Sequence, residues 1–145
     1  MLETVEKLTQ AEAKQINPIN LAFLGDAVYS LWVRERLVRS GVGKASDFQR
    51  AAAKVVSAQG QSAFLEKVLP LLTVEEEEIY RRGRNAKKAT KSKHATAAEY
   101  NRSTGFEAVL GYLYLTGERA RIERLLSQMD EAALKGQAAQ TPYKP

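Results

Sequence analysis

Apolar residues recur along this 145-residue chain at the three- and four-residue spacing of helices, and no stretch alternates with period two for long enough to suggest a sheet. That pattern predicts an all-α fold. A hydrophobic content of 44% over this length is enough for one core. A single compact domain is expected over residues 17–135, with an N-terminal extension at 1–16 and a disordered tail at 136–145, where apolar content is too low to fold.

Local punctuation divides the helical pattern. Asn17 and Pro18 read as the cap and first turn of a long helix that runs to Ser40 and stops before Gly41. A second helix is expected to start behind Ser46 or Asp47, and a third carries residues 62–69 up to Pro70. Thr73-Val74-Glu75-Glu76 forms a capping box that opens a fourth. The acids at 75–78 and the arginines at 81 and 82 complement the dipole of that helix, an explanation of the Glu run that needs no convergent metal-binding geometry. From Gly83 to about Ala97 the composition turns polar, which predicts a long loop. Two final helices are expected at residues 103–115 and 118–134, joined at Thr116-Gly117.

The net charge of +5 is local in origin. Residues 81–93 hold seven of the 22 basic side chains and no acid, which leaves 15 basic against 17 acidic residues elsewhere, a net −2. Such a patch suits a polyanion, because each neutralised phosphate releases condensed counterions; it also fits a merely solvated loop. The chain has no cysteine, so disulfides, thiolate zinc sites and cysteine nucleophiles are excluded. It lacks the run of about 18 apolar residues that would span a membrane, and its first residues do not lead from a basic into an apolar region, so a cytoplasmic protein is expected.

Two acids stand out against this background. Ile19, Ala22, Phe23, Asp26, Ala27 and Ser30 share one helical face, so Asp26 emerges from a mostly apolar stripe. Thr104, Glu107, Ala108 and Gly111 share another, whose small residues allow close approach of a second helix. Packed together, the two helices would bring both carboxylates to one cleft, as oxygen ligands for a hard cation such as Mg²⁺. Hydrolysis of a phosphodiester by that route needs no side-chain nucleophile. Other routes are poorly served: the lone His94 lies in the polar loop, no nucleophile elbow is present, and Gly41-Val42-Gly43-Lys44-Ala45-Ser46 lacks Walker spacing. Each acid singly also fits a structural ion pair, Asp26 with Arg34 or Arg102. Tyr29, Trp32, Tyr112 and Tyr114 read as core or dimer contacts rather than base-stacking platforms.

Phe23-Leu24-Gly25-Asp26-Ala27-Val28 resembles the signature helix of the ribonuclease III catalytic domain, and Phe106-Glu107-Ala108-Val109-Leu110-Gly111 resembles that family's second catalytic helix. The segments Arg82-Gly83-Arg84-Asn85-Ala86-Lys87 and Tyr100-Asn101-Arg102-Ser103-Thr104-Gly105-Phe106-Glu107 narrow the resemblance to the family's Mini branch, short bacterial forms with no appended double-stranded-RNA-binding domain. The resemblance implies a ribonuclease III-type endonuclease fold and a homodimer with a valley for double-stranded RNA. Each active site would cut one strand to leave a 5′-phosphate and a 3′-hydroxyl.

It further implies maturation of the large-subunit ribosomal RNA precursor, with room for a ribosomal-protein helper. Asp26 and Glu107 match the family's catalytic metal ligands for Mg²⁺, with Mn²⁺ as a substitute. Where the wider family has additional acids this chain has Ile19, Ala22 and Thr104, and Thr104 is left to contribute through its hydroxyl or a water. Arg82, Arg84, Asn85, Lys87 and Lys88 are the expected phosphate contacts, since A-form RNA is read through phosphates, 2′-hydroxyls and shape. Two other classes compete with this reading: a non-catalytic double-stranded-RNA-binding module of the same fold, and a helical adaptor whose basic loop serves only solubility.

Overall fold

The structure, a computed structural model, describes residues 6–41, 43–88 and 95–129, and among them it is helices joined by short turns, without strands. Seven α-helices follow one another: α1 (Gln10–Lys14), α2 (Pro18–Ser40), α3 (Ala45–Val56), α4 (Ala58–Val68), α5 (Val74–Asn85), α6 (Ala97–Leu115) and α7 (Arg119–Leu126). A 3₁₀ turn over Leu69–Leu71 carries Pro70 between α4 and α5.

The long helix α2 has the expected bounds. Asn17 Oδ1 accepts the Ile19 amide at 2.8 Å, Pro18 opens the first turn, and Gly41 ends the helix at φ 67°, a left-handed conformation that suits glycine. The Thr73–Glu76 capping box is formed in both directions, at 2.9 and 3.1 Å. Glu76 is also clamped by Arg121 through two 2.8 Å hydrogen bonds, and Glu75 pairs with Lys14 at 2.6 Å. Glu75 and Glu76 are thus occupied in helix capping and in ion pairs across the fold, while Glu77 and Glu78 are exposed in the same helix.

Several boundaries differ from those expected, each for a local reason. Helix α3 begins at Ala45, ahead of Ser46 and Asp47, because Asp47 sits inside the first turn and reaches back to accept the Lys44 amide at 3.1 Å. Helix α5 passes through Gly83 to Asn85, so the polar loop starts later than expected. Gly83 is a packing glycine rather than a terminator: a Cβ there would lie 3.0 Å from both the Ala108 Cβ and the Gly105 Cα. Helix α6 starts at Ala97, well before residue 103, because Thr96 and Glu99 make a further capping box. Helix α7 ends at Leu126, short of residue 134; residues 130–145, including the expected tail, lie outside the described residues.

Residues 8–16 of the expected extension pack on the core: the Leu8 amide donates to the Leu115 carbonyl at 2.9 Å, and Ala13 on α1 is buried. The core sits around α6, whose residues from Ser103 to Leu113 are buried apart from Glu107. Helices α2, α4 and α5 surround it. Tyr29 of α2, Phe64 of α4 and Phe106 of α6 meet with ring centroids 5.5 to 6.5 Å apart, one stacked and two edge-on contacts that lock three helices together. Tyr29, Trp32 and Tyr112 are buried, and Tyr114 is partly buried against the same core, as expected.

Candidate active site

Two glycine contacts decide how close α2 comes to α6. A Cβ on Gly25 would fall 1.7 Å from the Glu107 carbonyl oxygen, and one on Gly111 would fall 2.0 Å from the Leu21 carbonyl oxygen. Only hydrogen at these positions lets the backbones touch. Asp26 follows Gly25 directly, and Glu107 supplies the carbonyl that Gly25 faces, so the crossing that needs glycine also brings the two carboxyls together.

Asp26 is exposed in the resulting cleft and Glu107 is half-buried, and the two carboxyls hydrogen-bond to each other. Burial, then the Asp26 charge and that hydrogen bond push the Glu107 carboxyl up to about 9, while the Gln61 amide, 3.4 Å away, works in the opposite direction. Among the described residues no arginine or lysine forms an ion pair with either acid. Arg102, an expected alternative partner of Asp26, instead donates to Ser62 Oγ at 3.3 Å. With no cationic side chain beside the pair, ionising both carboxyls would be costly, so Glu107 keeps its proton until a counter-ion replaces it.

The cleft has a volume of about 460 Å³. Ile19, Ala22 and Thr104 line it beside Asp26 and Glu107. Thr104 Oγ1 donates to the Tyr100 carbonyl at 2.9 Å, which leaves its oxygen lone pairs as acceptors. Among the described residues no group of three or more His, Cys, Asp and Glu side chains converges. Two carboxylates, a hydroxyl and space for water form an all-oxygen donor set, which fits a hard divalent cation such as Mg²⁺ or Mn²⁺.

The expected phosphate contacts divide. Lys88 lines the cleft, where its ammonium caps α5 by donating to the Gly83, Arg84 and Ala86 carbonyls at 2.7 to 3.0 Å; burial lowers its pKa. Lys87 and Asn85 are exposed, and Arg84 lies over the Tyr80 ring and donates to Asn85 at 3.1 Å. Arg82 points the other way: its guanidinium donates to the Lys14 carbonyl at 2.8 Å and the Ile16 carbonyl at 3.4 Å, tying the N-terminal segment to α5. Lys91, Lys93 and His94 lie outside the described residues. Sequence reasoning missed the α3–α4 corner, whose Val56, Ser57 and Ala58 line the cleft, and it missed Gln61. A glutamine within Gln59-Gly60-Gln61-Ser62 carries no local signal that it will be buried against an acid.

The structure is thus an all-helical domain in which two carboxyls meet across a glycine crossing. Residues 19–118 match the Ribonuclease III domain family. The chain is 45% identical over 120 residues to Mini-ribonuclease 3 of Symbiobacterium thermophilum, covering 83% of this chain and 92% of that protein. It is 47% identical over 114 residues to Mini-ribonuclease 3 of Streptococcus pneumoniae, covering 77% and 89%. The crystal structure of protein FN1578 from Fusobacterium nucleatum superposes with a TM-score of 0.72 at 28% identity, covering 79% of this chain and 93% of that one. The chain therefore belongs to the ribonuclease III family of endoribonucleases, in its Mini-ribonuclease 3 branch.

Proposed function

We propose that this protein is a divalent-metal-dependent endonuclease for double-stranded RNA, with Asp26 and Glu107 as its catalytic carboxylates. The observation that carries this reading is the pairing of the two acids at the cleft, across a helix crossing that excludes any side chain at Gly25. Asp26 and Glu107 would hold Mg²⁺, and Thr104 would orient a water at the cleft wall. When bound, the metal supplies Lewis acidity that activates water and stabilises charge on the leaving oxygen. The two carboxylates fix where that charge stabilisation is delivered, and the apolar Ile19 and Ala22 shape the cleft beside them.

Affinity for the duplex is assigned to Arg84, Asn85, Lys87 and Lys88, which run from the end of α5 to the cleft. Phosphate contacts of this kind give binding that falls with salt and carries little base specificity. The exposed Phe23, Leu31 and Val38 on α2, at 84%, 50% and 65% exposure, form an apolar strip suited to a homodimer. No described helix is long and apolar enough to cross a membrane. The substrate we assign is the precursor of large-subunit ribosomal RNA in the cytoplasm, with a ribosomal-protein helper as a further partner.

Incubation with matched single- and double-stranded RNA tests the reading. Cleavage confined to the duplex, needing Mg²⁺ and leaving 5′-phosphate and 3′-hydroxyl ends, supports it. Duplex binding without cleavage in any divalent metal would instead establish a binding module.

A further inference from the structure

Gln61 is 1% exposed, and its side-chain nitrogen faces two oxygens, the Val56 carbonyl at 2.9 Å and Glu107 Oε2 at 3.4 Å. A peptide carbonyl cannot donate, so the amide has only one sensible orientation: flipped, it would set its oxygen against the Val56 carbonyl oxygen at 2.9 Å. The orientation leaves Gln61 Oε1 buried without a partner. An orphaned buried acceptor costs stability, and an apolar side chain of the same length would fill the space without that cost. Packing alone therefore does not account for a glutamine here.

What the amide does supply is a link between the α3–α4 corner and Glu107 on α6. Val56 ends α3, Ser57 caps α4, and this corner lines the cleft together with the acids. Gln61 anchors on the Val56 carbonyl and holds one oxygen of Glu107, so the Glu107 carboxylate on α6 is registered against the α3–α4 corner. We propose that Gln61 is a positioning residue that fixes the Glu107 carboxylate for divalent-metal binding beside Asp26. The proposal rests on the reading of Asp26 and Glu107 as metal ligands. Partners of ligating carboxylates commonly change metal affinity or activity by about 10- to 100-fold when removed.

The test compares the full-length wild type with Gln61→Met, Gln61→Asn and Glu107→Gln. Mn²⁺ affinity is measured by calorimetry, thermal stability without metal, and duplex-RNA cleavage across a Mg²⁺ titration. Gln61→Met is expected to keep or raise the melting temperature, to weaken Mn²⁺ binding about tenfold, and to shift half-maximal cleavage to about tenfold higher Mg²⁺. Gln61→Asn keeps the amide but is one methylene too short to span both oxygens; it is expected to lose affinity as well, and it decides the matter if Gln61→Met does not fold. Unchanged Mn²⁺ affinity and Mg²⁺ requirement in a folded variant would overturn the proposal. Wild-type Mn²⁺ binding that does not depend on Glu107 would instead overturn the assignment of the metal ligands, and the proposal with it.

Discussion

The Cβ that Gly25 lacks would sit 1.7 Å from the carbonyl oxygen of Glu107, so the residue before Asp26 is in backbone contact with Glu107. The obstacle is backbone and cannot swing aside. Gly25→Ala is expected to force α2 and α6 apart, to cost about 3 kcal/mol, and to separate the carboxyls enough to abolish cleavage. Gly41→Ala has nothing within 4 Å to meet and bears only the left-handed φ of 67°, for about 1 kcal/mol and little loss of activity. Urea denaturation of both variants checks the order; equal destabilisation would contradict it.

Glu107 makes the metal-free protein sensitive to pH. Its folded-state pKa, pushed up to about 9, lies above its ordinary value of 4.5, so between these pH values the folded chain holds a proton that the unfolded chain has released. Stability is then lost as pH rises through that window. Glu107→Gln should melt close to wild type at pH 4 and higher than wild type at pH 9, by about 4 °C for each 1 kcal/mol gained. Added Mg²⁺ should stabilise the wild type most at high pH, because the cation replaces that proton. A difference in melting temperature that does not vary with pH would contradict the assignment.

The basic residues near the end of α5 should separate into two kinds. Arg84→Ala with Lys87→Ala is expected to weaken duplex binding and flatten its salt dependence, by about two units of slope at most, with little change in stability. Arg82→Ala should instead lower stability by about 1–3 kcal/mol, since its guanidinium serves the Lys14 and Ile16 carbonyls. Salt titrations of binding, run beside thermal melts, distinguish them. An unchanged salt slope in the double variant would remove those residues from the RNA contact.

The apolar strip on α2 predicts a dimer. Leu31→Arg places a charge at its middle and should give a monomer by sedimentation, with the monomer's helical content intact. A wild type that is monomeric at micromolar concentration would contradict the proposed interface.

Much of this was readable in the sequence because it is written in local signals. The bounds of α2 follow from Asn17, Pro18 and Gly41, and the start of α5 from Thr73 and Glu76. The small-residue face around Glu107 announced a close helix approach. Gly83 opens the polar stretch in the sequence, and a glycine that ends a helix and one that lets helices touch look alike until the neighbour, here Gly105 and Ala108, is known. Thr96 and Glu99 were overlooked because their capping box precedes a polar turn rather than an apolar run. The turning of Arg82 toward the N-terminal segment and the burial of Gln61 beneath Glu107 depend on contacts 66 and 46 residues away, which no local pattern encodes.

The central claim is tested most directly by incubating wild type, Asp26→Asn and Glu107→Gln with long double-stranded RNA, with and without Mg²⁺, while measuring duplex binding in parallel. The account predicts metal-dependent cleavage by the wild type, its loss by at least about 100-fold in both variants, and retained binding in all three. Cleavage that survives in either variant, or a wild type that binds and never cuts, would contradict it.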